Sequence, residues 1–171
     1  MKKIALVILC LVVILSVSGC SKYINETDTE IYNKMAAKNE VMPETDEIGS
    51  YTEVYTNKNI YNQVAPIFKS ETYTLIAKYE KEEYESQKSI VSEKYSIESS
   101  GEDADSSSFD LDGFRFSLLS EQYIDYPKTL YFIGFNDADR AVAYIYFYDQ
   151  DLDVIDQSYD KFLREYSDWK Y

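Results

Sequence analysis

The chain has 171 residues but no histidine, and its only cysteines are Cys10 and Cys20. The lack of histidine excludes imidazole general bases, Ser-His-Asp triads and Cys-His nucleophiles, and it removes the usual ligands of zinc and copper. Paired carboxylates could still act on glycosides, although 31 acidic residues would produce such pairs by chance. We therefore predict a protein that is not an enzyme, with no catalytic residue, no cofactor and no metal ion.

Positive charge is also scarce, since 17 lysines and arginines stand against 31 acidic residues and give a formal net charge of −14. Sequence-independent binding to nucleic acid or to anionic lipid depends on clustered basic residues. We therefore expect no nucleic-acid partner. Aromatic residues, in contrast, make up 16% of the chain, with 18 tyrosines among them. They supply enough material for the core of one domain, so disorder of the whole chain is not expected.

Residues 1 to 19 have the order of a secretory signal peptide. Lys2 and Lys3 precede an apolar run over residues 4 to 15, and small residues follow it. A membrane-spanning helix needs roughly 20 apolar residues, and this run is shorter. The pattern therefore indicates export and cleavage.

The residues that follow the apolar run, Val17-Ser18-Gly19-Cys20, resemble the lipobox of bacterial lipoproteins. In that class the cysteine is diacylated and becomes the mature N-terminus, and two acyl chains are sufficient for stable anchoring. The resemblance implies lipid on Cys20 and a location at the cell membrane, on its extracytoplasmic face. Ordinary signal-peptide cleavage that leaves Cys20 unmodified is the alternative. Because Cys10 would be removed with the signal peptide, no disulfide is expected.

Residues 20 to 49 are polar and acidic, with few large apolar side chains. We interpret them as a lipidated acidic tether, in which a short helix over residues 31 to 37 has too small an apolar face to fold alone. The apolar pattern becomes denser after Gly49-Ser50. We therefore predict a single globular α+β domain over residues 50 to 171.

The first half of this domain predicts alternating strands and helices. Residues 51 to 55 alternate weakly, and the apolar residues between positions 60 and 68 fit a helical stripe that Pro66 interrupts, so that segment is ambiguous. Residues 73 to 79 predict a strand, and residues 80 to 94 predict a helix whose charges suit the helix dipole. A return strand over residues 95 to 98 would complete a β-α-β portion.

The second half predicts an antiparallel sheet. Apolar residues alternate on both sides of Asp112-Gly113, which predicts a two-residue hairpin that pairs Phe109 with Phe116 and Leu111 with Phe114. Residues 129 to 135 and 141 to 148 are apolar on both faces, as expected of central strands. Tyr159, Phe162, Leu163 and Tyr166 predict a C-terminal helix, capped by Asp156 and running to about residue 168, that packs on the sheet.

The run over residues 149 to 160 copies part of the ligand spacing of a calcium loop, with Asp149 and Asp151 at its start. Position six of the run is Val154, where the sharp turn needs glycine, and position twelve is an aspartate in place of the longer glutamate. We expect instead that the aspartates end a strand and that Asp156 caps the next helix.

The tyrosines allow two interpretations. A flat apolar ring with a polar tip can form a stacking platform for sugars. Tyrosines in a run such as Tyr144-Ile145-Tyr146-Phe147-Tyr148 are more often part of a core or a sheet face, and we expect that role here. The terminal Trp169-Lys170-Tyr171 would then cover the edge of the sheet.

Three segments resemble small uncharacterised lipoproteins of Gram-positive bacteria: residues 143 to 153, Asp112-Gly113-Phe114-Arg115-Phe116, and residues 73 to 79. The resemblance covers roughly residues 42 to 169. It implies a shared fold and location but no activity, ligand or catalytic residue.

The sequence as a whole predicts a mainly antiparallel α+β domain with a β-α-β portion, a hairpin at Asp112-Gly113 and a C-terminal helix. We expect a membrane-anchored, non-catalytic binding or complex-assisting module, whose partner is an unknown protein or a small molecule such as a sugar. The alternative is a carboxylate-dependent enzyme such as a small glycan-acting hydrolase. An aromatic-lined pocket without convergent carboxylates would favour binding, and two buried carboxylates facing across it would favour catalysis.

Overall fold

The structure, a computed structural model, describes residues 22–64, 68–97, 108–119, 129–149, 158–167, 169 and 171. Its centre is one seven-stranded sheet in which every neighbouring pair is antiparallel, in the order β1-β2-β3-β7-β6-β5-β4. The strands are β1 (Lys22–Glu26), β2 (Glu53–Val64), β3 (Phe68–Lys78), β4 (Ser108–Leu111), β5 (Phe114–Leu118), β6 (Thr129–Asn136) and β7 (Ala141–Asp149). The helices are α1 (Thr29–Ala36), α2 (Lys81–Tyr95) and α3 (Tyr159–Tyr166). The predicted α+β class with its antiparallel sheet and C-terminal helix is confirmed.

Both faces of the sheet are covered, which explains why β6 and β7 are apolar on both sides. On one face, Leu75 and Tyr144 belong to a core that also contains Tyr32 of α1 and Tyr84 of α2. On the other face, a second core gathers aromatic residues of β5, β6 and β7 under Leu163 of α3. None of the helices in the described ranges is long and apolar enough to cross a membrane.

The hairpin at Asp112-Gly113 is confirmed, and its register is the predicted one, with Phe109 opposite Phe116 and Leu111 opposite Phe114. Asp112 and Gly113 have φ values of 48° and 83°. Two successive positive φ angles are typical of a type I′ turn, whose twist matches that of the flanking strands.

The predicted return strand over residues 95 to 98 is wrong as far as the structure describes it, so there is no β-α-β portion at this point. Tyr95 is the last residue of α2, and Ser96 ends the helix in the left-handed conformation with φ 53°. The backbone N–H of Ile97 then bonds to the carbonyl of Ser92 at 2.9 Å. The chain therefore closes the helix with its own carbonyls and does not join the sheet. Glu98 lies outside the described residues.

Two other element predictions are corrected. The ambiguous segment after residue 55 is a continuation of β2, which runs to Val64 and pairs with β3. Ile60 and Val64 therefore lie on β2 and Phe68 begins β3, while residues 65 to 67 lie outside the described residues. Ser158, and not Asp156, occupies the N-cap position of α3, and the helix ends at Tyr166.

The tether interpretation of residues 20 to 49 is wrong for the part that folds onto the sheet. Tyr32, Ala36, Met42 and Ile48 are each at most 3% exposed. This burial fastens residues 32 to 48 to the domain. The sequence pattern missed it because the apolar side chains are few and widely spaced.

Tyrosine hydroxyls of the core hold the segment from residue 41 to 48 in place. The hydroxyl of Tyr32 donates to the carbonyl of Pro43 at 3.0 Å, and that of Tyr79 donates to the carbonyl of Ile48 at 3.0 Å. The hydroxyl of Tyr95 donates to the carbonyl of Val41. These bonds satisfy backbone carbonyls that would otherwise lose their solvent partners on burial.

Candidate functional site

A groove of about 470 Å³ lies between α1 and the sheet. Its volume is within the range of small-molecule sites, roughly 300–1,000 Å³. The floor comes from β2, β3 and β7, and the wall comes from α1 and the residues that follow it. The lining residues are Ile31, Lys34, Met35, Lys38, Asn39, Lys58, Tyr73 and Tyr146.

Three tyrosines lie side by side across the strands at the floor of the groove. Tyr73 on β3 pairs in register with Tyr146 on β7, which also pairs with Tyr131 on β6. The ring centroids are 6.0 Å apart for Tyr73 and Tyr146, and 5.1 Å apart for Tyr131 and Tyr146. Such cross-strand aromatic pairs stabilise a sheet. Tyr73 and Tyr131 are buried, whereas Tyr146 in the middle is only half-buried and faces the groove.

Lys58 extends the same row onto β2, where it pairs in register with Tyr73. Its Nζ atom lies 5.8 Å from the centroid of the Tyr73 ring. This distance is within the range of a cation–π contact. The row therefore places a positive charge next to an aromatic surface.

The wall of the groove follows from the spacing of residues along α1. Asp28 caps the helix, and its carboxylate accepts a 2.8 Å hydrogen bond from the backbone N–H of Glu30. The groove lining contains Ile31 and three residues that follow it by three, four and seven positions, namely Lys34, Met35 and Lys38. Residues at this spacing share one face of a helix, and Lys38 continues that face just beyond the helix end.

Asn39 joins the wall to the floor. Its Nδ2 donates to the hydroxyl of Tyr131 at 3.1 Å, while its Oδ1 accepts hydrogen bonds from the backbone N–H groups of Val41 and Met42 at 2.9 and 3.2 Å. The amide is thus fixed from both ends. These hydrogen bonds fix the position of the chain after α1 relative to the row of tyrosines.

The groove concentrates positive charge in an acidic protein. Three lysines line it, and no carboxylate is among its lining residues in the described part of the chain. Lys34 pairs with Glu30 on the exposed side of α1 at 2.7 Å, and this hydrogen bond raises the pKa of Lys34. The carboxylate of Glu71 borders the floor, where it accepts a 3.0 Å hydrogen bond from the hydroxyl of Tyr73. The arrangement can bind an anionic or aromatic-stacking ligand, and among the described lining residues there is no pair of carboxylates for acid and base catalysis.

A second groove, of about 300 Å³, is lined by residues that include Glu53, Lys78, Asp139 and Tyr171. Lys78 pairs with Glu53 at 3.4 Å, and the hydroxyl of Tyr171 donates to Asp139 at 3.1 Å. Both carboxylates are exposed and each already has a partner. The described residues of this groove therefore do not supply the two buried, facing carboxylates expected for catalysis on glycosides.

Cys20, the one site residue predicted from the sequence, lies outside the described residues. Residues 150 to 157, most of the run that copies part of a calcium-loop spacing, also lie outside them. Asp149 is the last residue of β7. Asp160 is in the first turn of α3, where a hydrogen bond from Ser158 lowers the pKa of its carboxyl. Within the described ranges, no cluster of three acidic or cysteine side chains is arranged to hold a metal ion.

The expectation that tyrosines form core and sheet faces is met by Tyr73, Tyr131 and Tyr144, which are all buried. Trp169 packs on a sheet face and not on an edge, since its ring lies edge-on to those of Phe114 and Phe116. The groove lysines were missed. Their signature was the helical spacing from Ile31 to Lys38, which the tether interpretation set aside.

The chain matches no protein-family model, and no curated protein or solved structure is significantly similar to it.

Proposed function

We propose that the protein is an extracytoplasmic lipoprotein, anchored to the cell membrane through lipid on Cys20, whose domain is a non-catalytic binding module. Its ligand is a small molecule such as a sugar, and the ligand occupies the groove between α1 and the sheet. The observation that carries the proposal is the lining of this groove, which combines tyrosines and lysines without a carboxylate among the described lining residues.

Three features of the groove support binding over catalysis. Its aromatic floor suits the flat apolar face of a sugar ring. Its tyrosines are held by cross-strand pairing, so that little side-chain entropy is lost when a ligand packs on them. Acid and base catalysis on glycosides typically uses two carboxylates in one cleft, and no such pair is among the groove-lining residues that the structure describes.

The anchor is tested by Cys20→Ser in cells, followed by separation of membrane and soluble fractions. We expect the substituted protein to leave the membrane fraction, because two acyl chains on this cysteine are the only strong membrane signal in the sequence. Cys10→Ser is the matched control, since it changes a cysteine that is not in the lipobox, and it should leave the protein membrane-bound. Retention of Cys20→Ser through high-salt washing would contradict the anchor.

The binding role is tested by incubating the detergent-solubilised full chain with a panel of neutral and acidic oligosaccharides. Protein-observed NMR should show shifts for backbone amides of α1 and β7, and mass spectrometry should show the oligosaccharides intact. Cleavage of any member of the panel would favour the alternative, a carboxylate-dependent glycan hydrolase. Absence of any shift at α1 and β7 would remove the groove as the ligand site.

A further inference from the structure

We infer that the groove selects a sugar that carries an anionic group, such as a carboxylate, sulfate or phosphate. This inference rests on the proposed function and deepens it, because it adds the charge of the ligand. Its basis is the meeting of lysines from two elements over a tyrosine floor.

The distribution of charge is the first argument. The chain carries 31 acidic and 17 basic residues. Against this balance, three lysines and no acidic residue line the groove in the described part of the chain. A concave site lined by one sign of charge focuses the local potential and attracts ligands of the opposite sign. The groove has a volume of about 470 Å³, so the ligand must be small enough to enter it.

The position of the lysines is the second argument. Lys34 and Lys38 come from the wall, and Lys58 comes from the floor on the other side. An anionic group placed between wall and floor would therefore meet ammonium groups from two directions. Lys38 is exposed and forms no ion pair within the ranges that the structure describes. Its charge is therefore available to a ligand without first breaking an internal pair.

The aromatic floor is the third argument, and it separates a charged sugar from a bare inorganic anion. Tyr146 is half-buried and faces the groove between two buried tyrosines that fix its ring. An inorganic phosphate would contact the lysines but would not pack on this aromatic surface. A sugar ring can pack on it while its acidic substituent reaches the lysines.

The test is titration of the detergent-solubilised full chain, by calorimetry at low and high salt, with three probes. These are trigalacturonate, a neutral galactotriose of the same length, and inorganic phosphate. We expect trigalacturonate to bind about tenfold or more tightly than the neutral sugar, with an affinity that falls as salt rises. Phosphate alone should bind more weakly than trigalacturonate.

Variants assign the effect to the groove. Lys38→Gln and Lys58→Gln should each weaken trigalacturonate binding several-fold and leave the galactotriose affinity unchanged. Tyr146→Leu should weaken both sugars. Lys81→Gln is the matched control, because Lys81 is an exposed lysine in the first turn of α2, outside the groove lining. Thermal melting of each variant confirms that the fold is retained.

The outcomes separate this inference from the proposed function. Equal affinity for both sugars, with no effect of the lysine substitutions, would overturn charge selection and leave the binding module intact. Phosphate binding as tight as that of trigalacturonate would overturn the requirement for a sugar. If no probe binds and none shifts α1 or β7, both proposals fail.

Discussion

The indole Nε1 of Trp169 donates a 2.9 Å hydrogen bond to Oδ2 of Asp112. The guanidinium of Arg164 donates two more to the same carboxylate, at 2.8 and 3.1 Å. Asp112 is the first turn residue of the hairpin between β4 and β5. The carboxylate of Asp112 therefore connects this turn to α3 and to Trp169, whose ring packs on Phe114 and Phe116.

Asp112 is a position where a conservative and a truncating substitution should differ. Asp112→Asn keeps an oxygen that can accept from the indole, and asparagine tolerates the φ of 48°. Asp112→Ala loses all three hydrogen bonds to the carboxylate, which together are worth about 1 kcal/mol or more, and places alanine in the left-handed region at a cost of about 1–2 kcal/mol. We therefore expect alanine to lower the free energy of unfolding by about 2 kcal/mol or more, with asparagine much closer to wild type. Urea denaturation measures both, and equal losses would show that the acceptor oxygen and the tolerance of positive φ that asparagine retains do not contribute to stability.

The tyrosine hydroxyls that hold residues 41 to 48 make a second prediction. Tyr32→Phe removes the donor to the carbonyl of Pro43 and leaves that buried acceptor without its bond. The expected loss in free energy of unfolding is about 1–3 kcal/mol. Tyr51→Phe is the control, because Tyr51 is 39% exposed and should change stability little. A null effect of Tyr32→Phe would mean that the segment contributes less to folding than its burial indicates.

The accuracy of the sequence predictions depended on how local the determining pattern was. The hairpin was predictable down to its register, because the alternation of Phe109, Leu111, Phe114 and Phe116 and the turn residues all lie within eight positions. The return strand after α2 was predicted wrongly because the contacts of Tyr95 are distant in the sequence. In the structure Tyr95 is buried at the end of α2, and its hydroxyl donates to the carbonyl of Val41, 54 residues away.

The groove could not be predicted for the same reason. Tyr73, Tyr146 and Tyr131 come together only through the pairing of β3, β7 and β6. That strand order is non-sequential, and no local pattern specifies it. The helix that forms the wall has two residues in the core, Tyr32 and Ala36. Its packing therefore depends on partners that are distant in the sequence. Composition alone does not reveal these partners, so the segment was interpreted as a polar tether.

Buried tyrosines should make the protein sensitive to alkali. Burial raises the pKa values of Tyr32, Tyr79 and Tyr144, and at the more exposed Tyr171 partial desolvation and the hydrogen bond to Asp139 raise the pKa to about 12. Each phenol is therefore held neutral in the folded protein above pH 10, where the unfolded chain begins to ionise. Because the unfolded state then binds fewer protons, stability falls as pH rises from about 10 upward.

An alkaline titration followed by phenolate absorbance and circular dichroism tests this direction. We expect the ionisation of the buried tyrosines to coincide with cooperative loss of structure. Tyr171→Phe should reduce the fall in stability between about pH 10 and pH 12, since it removes one of the groups that the folded state keeps protonated. Complete ionisation of all tyrosines without any structural change would contradict the burial on which the prediction rests.

Gly134 on β6 leaves no room for an added methyl group. A Cβ atom there would lie 2.5–2.8 Å from three atoms of the Phe116 ring. The ring cannot move aside easily, because it is fully buried and is packed against Phe109, Phe114 and Trp169. Gly134→Ala should therefore lower the free energy of unfolding by about 1–3 kcal/mol, the usual cost of overpacking a core.

A double-mutant cycle distinguishes this clash from a general intolerance of β6 to substitution. Phe116→Leu removes the ring and is destabilising alone, by a few kcal/mol, because it leaves a cavity. In that background the methyl group of Gly134→Ala enters space that the ring has vacated, so the second substitution should cost little or even stabilise. The two losses, measured by urea denaturation, are then expected to be non-additive by about 1 kcal/mol or more. If they add instead, the methyl group does not meet Phe116, and the close approach of β6 to that ring is wrong.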